Sequence, residues 1–156
     1  MINSPSPYGN IISDNSITTA KLINEAVTQI VASAGVDFNT NSANFVDITG
    51  CSATITTNGG KVLAILNTGH TAGSAGTTIG VVTILRDATN LGDSTWGLNG
   101  ISAAVGVESA VIDSPIAGTY TYKGQLRADG GSGTIYVGFQ AGGTKTCKLI
   151  LIEVKK

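Results

Sequence analysis

The sequence contains one histidine that could act as a general base, and its neighbours do not support catalysis. His70 stands in the stretch "NTGHTAGSAG", which has no acidic residue. Hydrolases usually place a base beside a nucleophile and orient that base with a third group. We therefore predict that His70 is a solvated loop residue. The alternative is a pH-sensitive contact at a subunit junction, because imidazole titrates near neutral pH.

The acidic residues of the later part of the chain are dispersed and form no recognisable pair of the kind that glycosidases use. They are Asp47, Asp87, Asp93, Glu108, Asp113, Asp129 and Glu153. Asp87 and Asp93 flank "ATNLG", which predicts a turn, since a calcium loop needs more closely spaced oxygen ligands. We predict no catalytic residue, no metal site, no cofactor and no enzymatic activity.

Trp96 is the residue best suited to bind a sugar. It lies in "GDSTWGLNG", close in sequence to Asn99, and an exposed indole in a loop can stack on a sugar ring. The alternative is a tryptophan that covers one end of a hydrophobic core. Trp96 and Asn99 are therefore the candidate glycan contacts.

Composition limits the partners of the chain. Its 156 residues are 42% hydrophobic and 12% charged, with a formal net charge of −1, which is enough apolar material for the core of one domain. The low charge argues against binding to nucleic acid or to an anionic membrane. The longest aliphatic run near the end, residues 149–152, is too short to insert into a membrane.

The first residues, "MINSP", lack the basic and apolar regions of a secretion signal. This predicts synthesis and assembly in a cytoplasm. Cys51 and Cys147 have no metal-type spacing, and a reducing cytoplasm favours free thiols over a disulfide.

The N-terminal part predicts a tail and a short helix. Pro5 and Pro7 exclude a regular helix, so residues 1–15 are expected to be an extended tail. Residues 16–36 are expected to form a helical stalk, capped by Ser16 or Thr18 and ended by Gly35. Its apolar positions, spaced alternately by three and four residues, resemble a coiled-coil seam: Ala20, Ile23, Val27, Ile30 and Ala34. The alternative is one amphipathic helix packed on its own domain.

Residues 37–156 show the short, Gly- and Asn-punctuated runs of an all-β domain. We predict about eight strands, at residues 45–49, 53–57, 62–68, 78–86, 103–112, 119–127, 134–140 and 146–154. One of the turns is Asn58-Gly59-Gly60. The spacing predicts an antiparallel sandwich of the jelly-roll type. In "AGTYTYKGQL" the alternation places Tyr120 and Tyr122 on the core side.

Three of these strands are apolar on both faces, which predicts association. Leu63 and Ile65 alternate with Val62, Ala64 and Leu66. Val82 and Ile84 alternate with Ile79, Val81 and Leu85, and Ile150 and Ile152 alternate with Leu149 and Leu151. Monomers avoid contiguous exposed apolar surfaces, and isoleucine at seam positions favours trimers or larger coiled coils over dimers. We predict a homotrimer whose interface contains Ile23, Val27, Ile30, Leu149, Ile150, Leu151 and Ile152.

Two segments carry a resemblance to a known group of proteins. "DNSITTAKLINEAVTQIV" (14–31) resembles a segment common near the N-termini of bacteriophage fibre proteins. "SPIAGTYTYKGQLRADGGSG" (114–133) and the terminal "KLILIEVKK" (148–156) are similar to small phage fibre knobs with a TNF/C1q-like jelly roll. In such knobs the last strand lies near the three-fold axis.

The resemblance implies a homotrimeric protein on the virion surface, assembled in the cytoplasm of the bacterial host. The N-terminus would attach it to a capsid or tail protein, with Pro5, Pro7, Tyr8, Ile11 and Ile12 as the anchoring residues. The knob would project outward and adhere to a surface or to a host glycan. The absence of repeated shaft modules favours a short head fibre or capsid decoration. The alternatives are a tail-associated receptor-binding tip and a free carbohydrate-binding module.

Overall fold

The computed structural model describes residues 27–35, 37–74, 78–98, 105–129, 133–138 and 147–154, and their regular structure is entirely β-strand. The strands are β1 (Val27–Ala34), β2 (Phe38–Thr40), β3 (Val46–Thr57), β4 (Lys61–Gly73), β5 (Thr78–Arg86), β6 (Thr89–Leu98), β7 (Val105–Asp113), β8 (Gly118–Asp129), β9 (Ile135–Val137) and β10 (Lys148–Val154). Within the described ranges, no helix has the length and apolar character that crossing a membrane requires.

The strands form two antiparallel sheets. In the first sheet β10 lies between β1 and β4, β7 pairs with the opposite side of β4, and the short strands β9 and β2 continue from the end of β4. The second sheet has the order β3-β8-β5-β6. With β2 and β9 set aside, β1-β10-β4-β7 therefore packs against β3-β8-β5-β6.

One hydrophobic core joins the two sheets. The first sheet contributes alternate residues of β4 and β10, and the second contributes alternate residues of β3, β5 and β8. The largest fully buried side chains of this core include Leu66, Leu149, Leu151, Ile55, Ile84, Tyr122 and Leu126. This packing confirms the predicted all-β antiparallel sandwich, and it places Tyr122 on the core side as the alternation predicts.

The helix prediction is wrong for the residues that the structure describes. Val27–Ala34 is a strand that pairs with β10 along its whole length. The run contains Val27, Thr28, Ile30 and Val31, whose β-branched side chains favour extended backbone. Pairing also satisfies the backbone N–H and C=O groups of β10 that would otherwise lie at the edge of the sheet. The first 26 residues, which include Ala20, Ile23 and the predicted tail, lie outside the described residues.

Two strand predictions also need correction. The segments predicted at 45–49 and 53–57 are one strand, β3, whose register with β8 shifts between Asp47 and Ser52. The segment that follows β5 was predicted as turn and loop, yet Thr89–Leu98 forms β6 and pairs with β5. Asp87 does occupy a turn, with φ of 52°, so the hairpin uses fewer turn residues than the sequence suggests.

Candidate interaction surface

The outer surface of the first sheet, which faces away from the core, is aliphatic across three strands. The register aligns Ile152, Leu63 and Ile112 in one row and Ile150, Ile65 and Ala110 in the next. Alternation directs these side chains away from the core. We call these six residues the aliphatic surface.

The aliphatic surface is partly open to solvent. Ile112 is 66% exposed, whereas Leu63, Ile65, Ile150 and Ile152 are half-buried. Val154, which is 44% exposed, continues the same face of β10. A contiguous apolar area of this kind marks interaction sites on soluble proteins.

A polar row borders the aliphatic surface at one end. Lys148, Asn67 and Glu108 follow in register across β10, β4 and β7. The Asn67 Nδ2 donates to Glu108 Oε1 at 2.6 Å. An apolar centre with a polar border is the usual anatomy of a protein interface.

The outer surface of the second sheet is polar. The hydroxyls of Thr54 and Thr121 lie 3.0 Å apart. Asp47 accepts from Gln125 Nε2 at 2.6 Å and from Lys123 Nζ at 2.8 Å. The hydrogen bonds from Gln125 and Lys123 hold the pKa of Asp47 below its usual value. Several polar side chains of this surface hydrogen-bond to one another, so the two outer surfaces of the sandwich differ in character.

The centre of the second apolar face of β5 is covered by the chain itself, whereas Ile79 and Leu85 on the same face are half-buried. Val81 is only 1% exposed, and its register partners are Arg127 of β8 and Thr95 of β6. The Arg127 guanidinium stacks over the Phe45 ring at 5.0 Å from its centre. Of the three strands that are apolar on both faces, β4 and β10 therefore keep an open aliphatic side, and Val81 of β5 is enclosed.

The structure corrects the predicted trimer interface. Leu149 and Leu151 are fully buried in the core of their own chain, so they cannot contact another subunit. Ile150 and Ile152 belong to the aliphatic surface. The side chains of Val27 and Ile30, on β1, lie outside the described part of the structure, as does all of Ile23.

The sequence interpretation omitted β7 from this surface. Ala110 and Ile112 flank the half-buried Val111, so β7 is also apolar on both faces. The apolar run in "SAVID" could have predicted that β7 contributes to this surface.

The structure places the backbone of two further candidate residues, His70 and Trp96. His70 belongs to β4 and pairs with Gly106, so its assignment to a loop is wrong. Trp96 belongs to β6 and pairs with Gly80, so it too is not in a loop. The side chains of both residues, and all of Asn99, lie outside the described part.

The predicted anchoring residues and the possibility of a metal site remain to be compared with the structure. The anchoring residues Pro5, Pro7, Tyr8, Ile11 and Ile12 lie outside the described residues. Of the His, Cys, Asp and Glu side chains that were described, no three are grouped so that they could hold a metal ion.

No protein-family model matches the sequence, and no curated protein matches it. Among solved structures, the chain is similar to the insecticidal delta-endotoxin Cry8Ea1 from Bacillus thuringiensis, with a TM-score of 0.46 and 10% identity over 77% of this chain and 20% of that chain. It is similar to a structure of infectious bursal disease virus, Gx strain, with a TM-score of 0.43 and 15% identity over 80% of this chain and 37% of that chain.

It is also similar to dimeric latent PorU from Porphyromonas gingivalis, with a TM-score of 0.39 and 3% identity over 83% of this chain and 14% of that chain. The chain thus spans between 14% and 37% of the lengths of these proteins. All three TM-scores are too low to carry an argument about function.

Proposed function

We propose that this protein is a non-enzymatic structural component of a bacteriophage particle. It assembles as a homotrimer and forms a short head fibre or capsid decoration. Its N-terminal segment binds the particle, and its sandwich projects outward as a knob for adhesion. The virion role rests on the resemblance of residues 14–31, 114–133 and 148–156 to phage fibre proteins.

The strand order supports the knob assignment. An arrangement of β1-β10-β4-β7 against β3-β8-β5-β6 is the order that two Greek keys produce in an eight-stranded jelly roll. This is the fold that the resemblance implies. Jelly rolls occur in proteins of many functions. The strand order therefore supports the proposed fold of the knob, and the experiment below tests its assembly.

The observation that carries the proposal of assembly is the aliphatic surface. Full burial of a Leu or Ile side chain stabilises by roughly 1.5–3 kcal/mol, and several such side chains in each subunit can offset the entropic cost of association. Ile150 and Ile152 lie on the last strand, which the resemblance places near the three-fold axis. Further copies of the same chain are therefore the proposed occupants of this surface.

Measurement of the mass in solution tests the proposed assembly. Light scattering coupled to size exclusion should give three times the 15.7 kDa chain mass at micromolar concentration. Ile112→Lys should shift the population towards monomer, because it places a charge at a position of the aliphatic surface that is 66% exposed.

Thr54→Lys is the matched control. It adds the same charge to an exposed strand position on the polar outer surface of the second sheet, and it should leave the mass unchanged. Circular dichroism should show that both variants stay folded. A monomeric wild-type protein, or equal dissociation by both variants, would contradict the proposal.

A further inference from the structure

Two cysteines from different sheets meet in the core. Cys51 lies on β3 of the second sheet, and Cys147 directly precedes β10 of the first sheet. They are 1% and 0% exposed and belong to the same hydrophobic cluster. Both are free thiols, and they lie close enough for each side chain to change the acidity of the other. The chain thus brings together two sulfur atoms that are far apart in sequence.

A β-bulge turns Cys51 towards Cys147. Ile48 and Cys51 both face the core, although they are three positions apart on one strand. Regular alternation would send one of them to the outer surface. The register of β3 with β8 shifts between Asp47 and Ser52, and Gly50 in this stretch has φ of 81°. Four residues of β3, 48–51, stand opposite the single residue of β8 that lies between Gln125 and Lys123. The three extra residues, an odd number, restore the inward direction at Cys51.

The segment after β1 packs against both cysteines. The Gly35 N–H donates to the Cys147 carbonyl oxygen at 2.8 Å. A Cβ atom at Gly35 would lie 3.2 Å from Cys51 Sγ and 2.3 Å from the Thr49 carbonyl oxygen. Only glycine allows this close approach. Backbone packing therefore holds the two cysteines side by side.

The two thiols differ in acidity. The neighbouring Cys147 lowers the pKa of Cys51, whereas the neighbouring Cys51, together with burial, raises the pKa of Cys147. The thiolate is the reactive form in disulfide exchange. Cys51 is therefore the more acidic of the two thiols. Because both side chains are buried, Cys51 meets an external disulfide when the sandwich opens locally.

We propose that Cys51 and Cys147 are an oxidisable pair that forms an intrachain disulfide between the two sheets, with a small-molecule disulfide such as oxidised glutathione as the electron acceptor. The Cys51 thiolate attacks one glutathione sulfur, the glutathione S–S bond breaks, and one glutathione thiolate leaves. Cys147 then loses its proton, attacks the Cys51 sulfur and releases the second glutathione thiolate. Two protein thiols are oxidised, and one glutathione disulfide is reduced to two thiols.

This inference goes beyond the proposed function and does not depend on it. Thiols that remain reduced in a cytoplasm would be oxidised outside it. The disulfide would link β3 to the start of β10 and so restrict separation of the two sheets. A protein that folds in one compartment and acts in another would gain stability after its release.

Oxidation of the full-length protein tests the proposal. The reduced protein is incubated with oxidised glutathione, then trapped with an alkylating reagent in denaturant. Mass spectrometry should show the loss of two hydrogen atoms, no alkylated thiol, and a peptide that links Cys51 to Cys147. The midpoint of thermal unfolding should rise by about 4–16 °C, and dithiothreitol should reverse the rise.

Cys147→Ser and Cys51→Ser are the matched controls. In the Cys147→Ser variant, Cys51 should stop at the mixed disulfide with glutathione, and neither variant should show the rise in midpoint. If the serine variants unfold because of the buried hydroxyl, Cys147→Ala and Cys51→Ala replace them. Two thiols that remain alkylatable after oxidation, or a disulfide that forms only between different chains, would overturn the proposal.

Discussion

Asp113 connects the two sheets through its carboxylate. Arg86 Nη1, at the end of β5 in the second sheet, donates to Asp113 Oδ1 and Oδ2 at 2.8 and 2.7 Å. The Tyr122 hydroxyl donates to Oδ2 at 2.7 Å. The same guanidinium lies over the Tyr120 ring, 5.2 Å from its centre. Because Asp113 ends β7 of the first sheet, this cluster joins the sheets at one end of the sandwich.

Tyr122 should make stability fall at alkaline pH. Burial and the hydrogen bond to Asp113 raise the pKa of Tyr122 above its usual value. In the unfolded chain its pKa is about 10, so its contribution is complete below that pH and is lost as the pH rises further. The wild-type free energy of unfolding should therefore decrease more steeply above pH of about 10 than that of Tyr122→Phe.

At neutral pH, Tyr122→Phe should be less stable than wild type by roughly 1–3 kcal/mol, because a hydrogen bond to a charged group is lost. Urea unfolding at a series of pH values measures both effects, and the difference between the two proteins removes the contribution of the other tyrosines. If the free energies of unfolding of the two proteins changed equally with pH, ionisation of the Tyr122 hydroxyl would not affect stability.

The two sheets approach each other closely at Gly124 of β8 and Leu66 of β4. Gly124 faces the core between Tyr122 and Leu126. A Cβ atom at this position would lie 2.7 Å from Leu66 Cδ1 and 3.5 Å from Cys51 Cβ. The absence of a side chain at residue 124 therefore leaves the space that Leu66 occupies.

Gly124→Ala should destabilise the protein by about 1–3 kcal/mol, because the added methyl group overfills the core. Leu66→Val in the same chain should recover part of this loss, since it shortens the side chain that the methyl group meets. Gly106→Ala is the control: its nearest contact would be the Gly69 carbonyl oxygen at 3.5 Å, an ordinary distance, so its effect should stay within about 0.5 kcal/mol. Equal stabilities of Gly124→Ala and wild type would show that the sheets can separate slightly at no cost.

At the scale of the whole molecule, the proposed function separates assembly from attachment. The aliphatic surface belongs to the sandwich, and the proposed anchor is the N-terminal tail. A variant that lacks residues 1–15 should therefore remain a trimer in solution, with three times its own shortened chain mass, but be absent from purified particles. Truncated protein on capsids at wild-type occupancy would contradict the anchor, whereas loss of association would show that the tail contributes to assembly. Electron microscopy of particles that carry the full chain distinguishes capsid from tail.

Local patterns determined most of the β-structure. Strict alternation around Tyr120 and Tyr122 predicted a half-buried strand, and the run Asn58-Gly59-Gly60 predicted the turn between β3 and β4, where Gly59 has φ of 89°. The second apolar faces of β4 and β10 were visible in the same way. These features follow from the period of two that any strand imposes on its side chains, so they require no knowledge of the partner strand.

Long-range pairing decided the rest. The spacing of apolar residues in Val27–Ala34 fits a helix, but the edge of β10 makes this segment a strand. The same is true of β6, which contains no strong apolar alternation and exists because β5 pairs with it. Only the folded chain shows that Arg127 flanks Val81 and that Cys51 meets Cys147. The physical reason is that periodicity is a property of neighbouring residues, whereas edge pairing, shielding and the meeting of two thiols depend on parts of the chain that are distant in sequence.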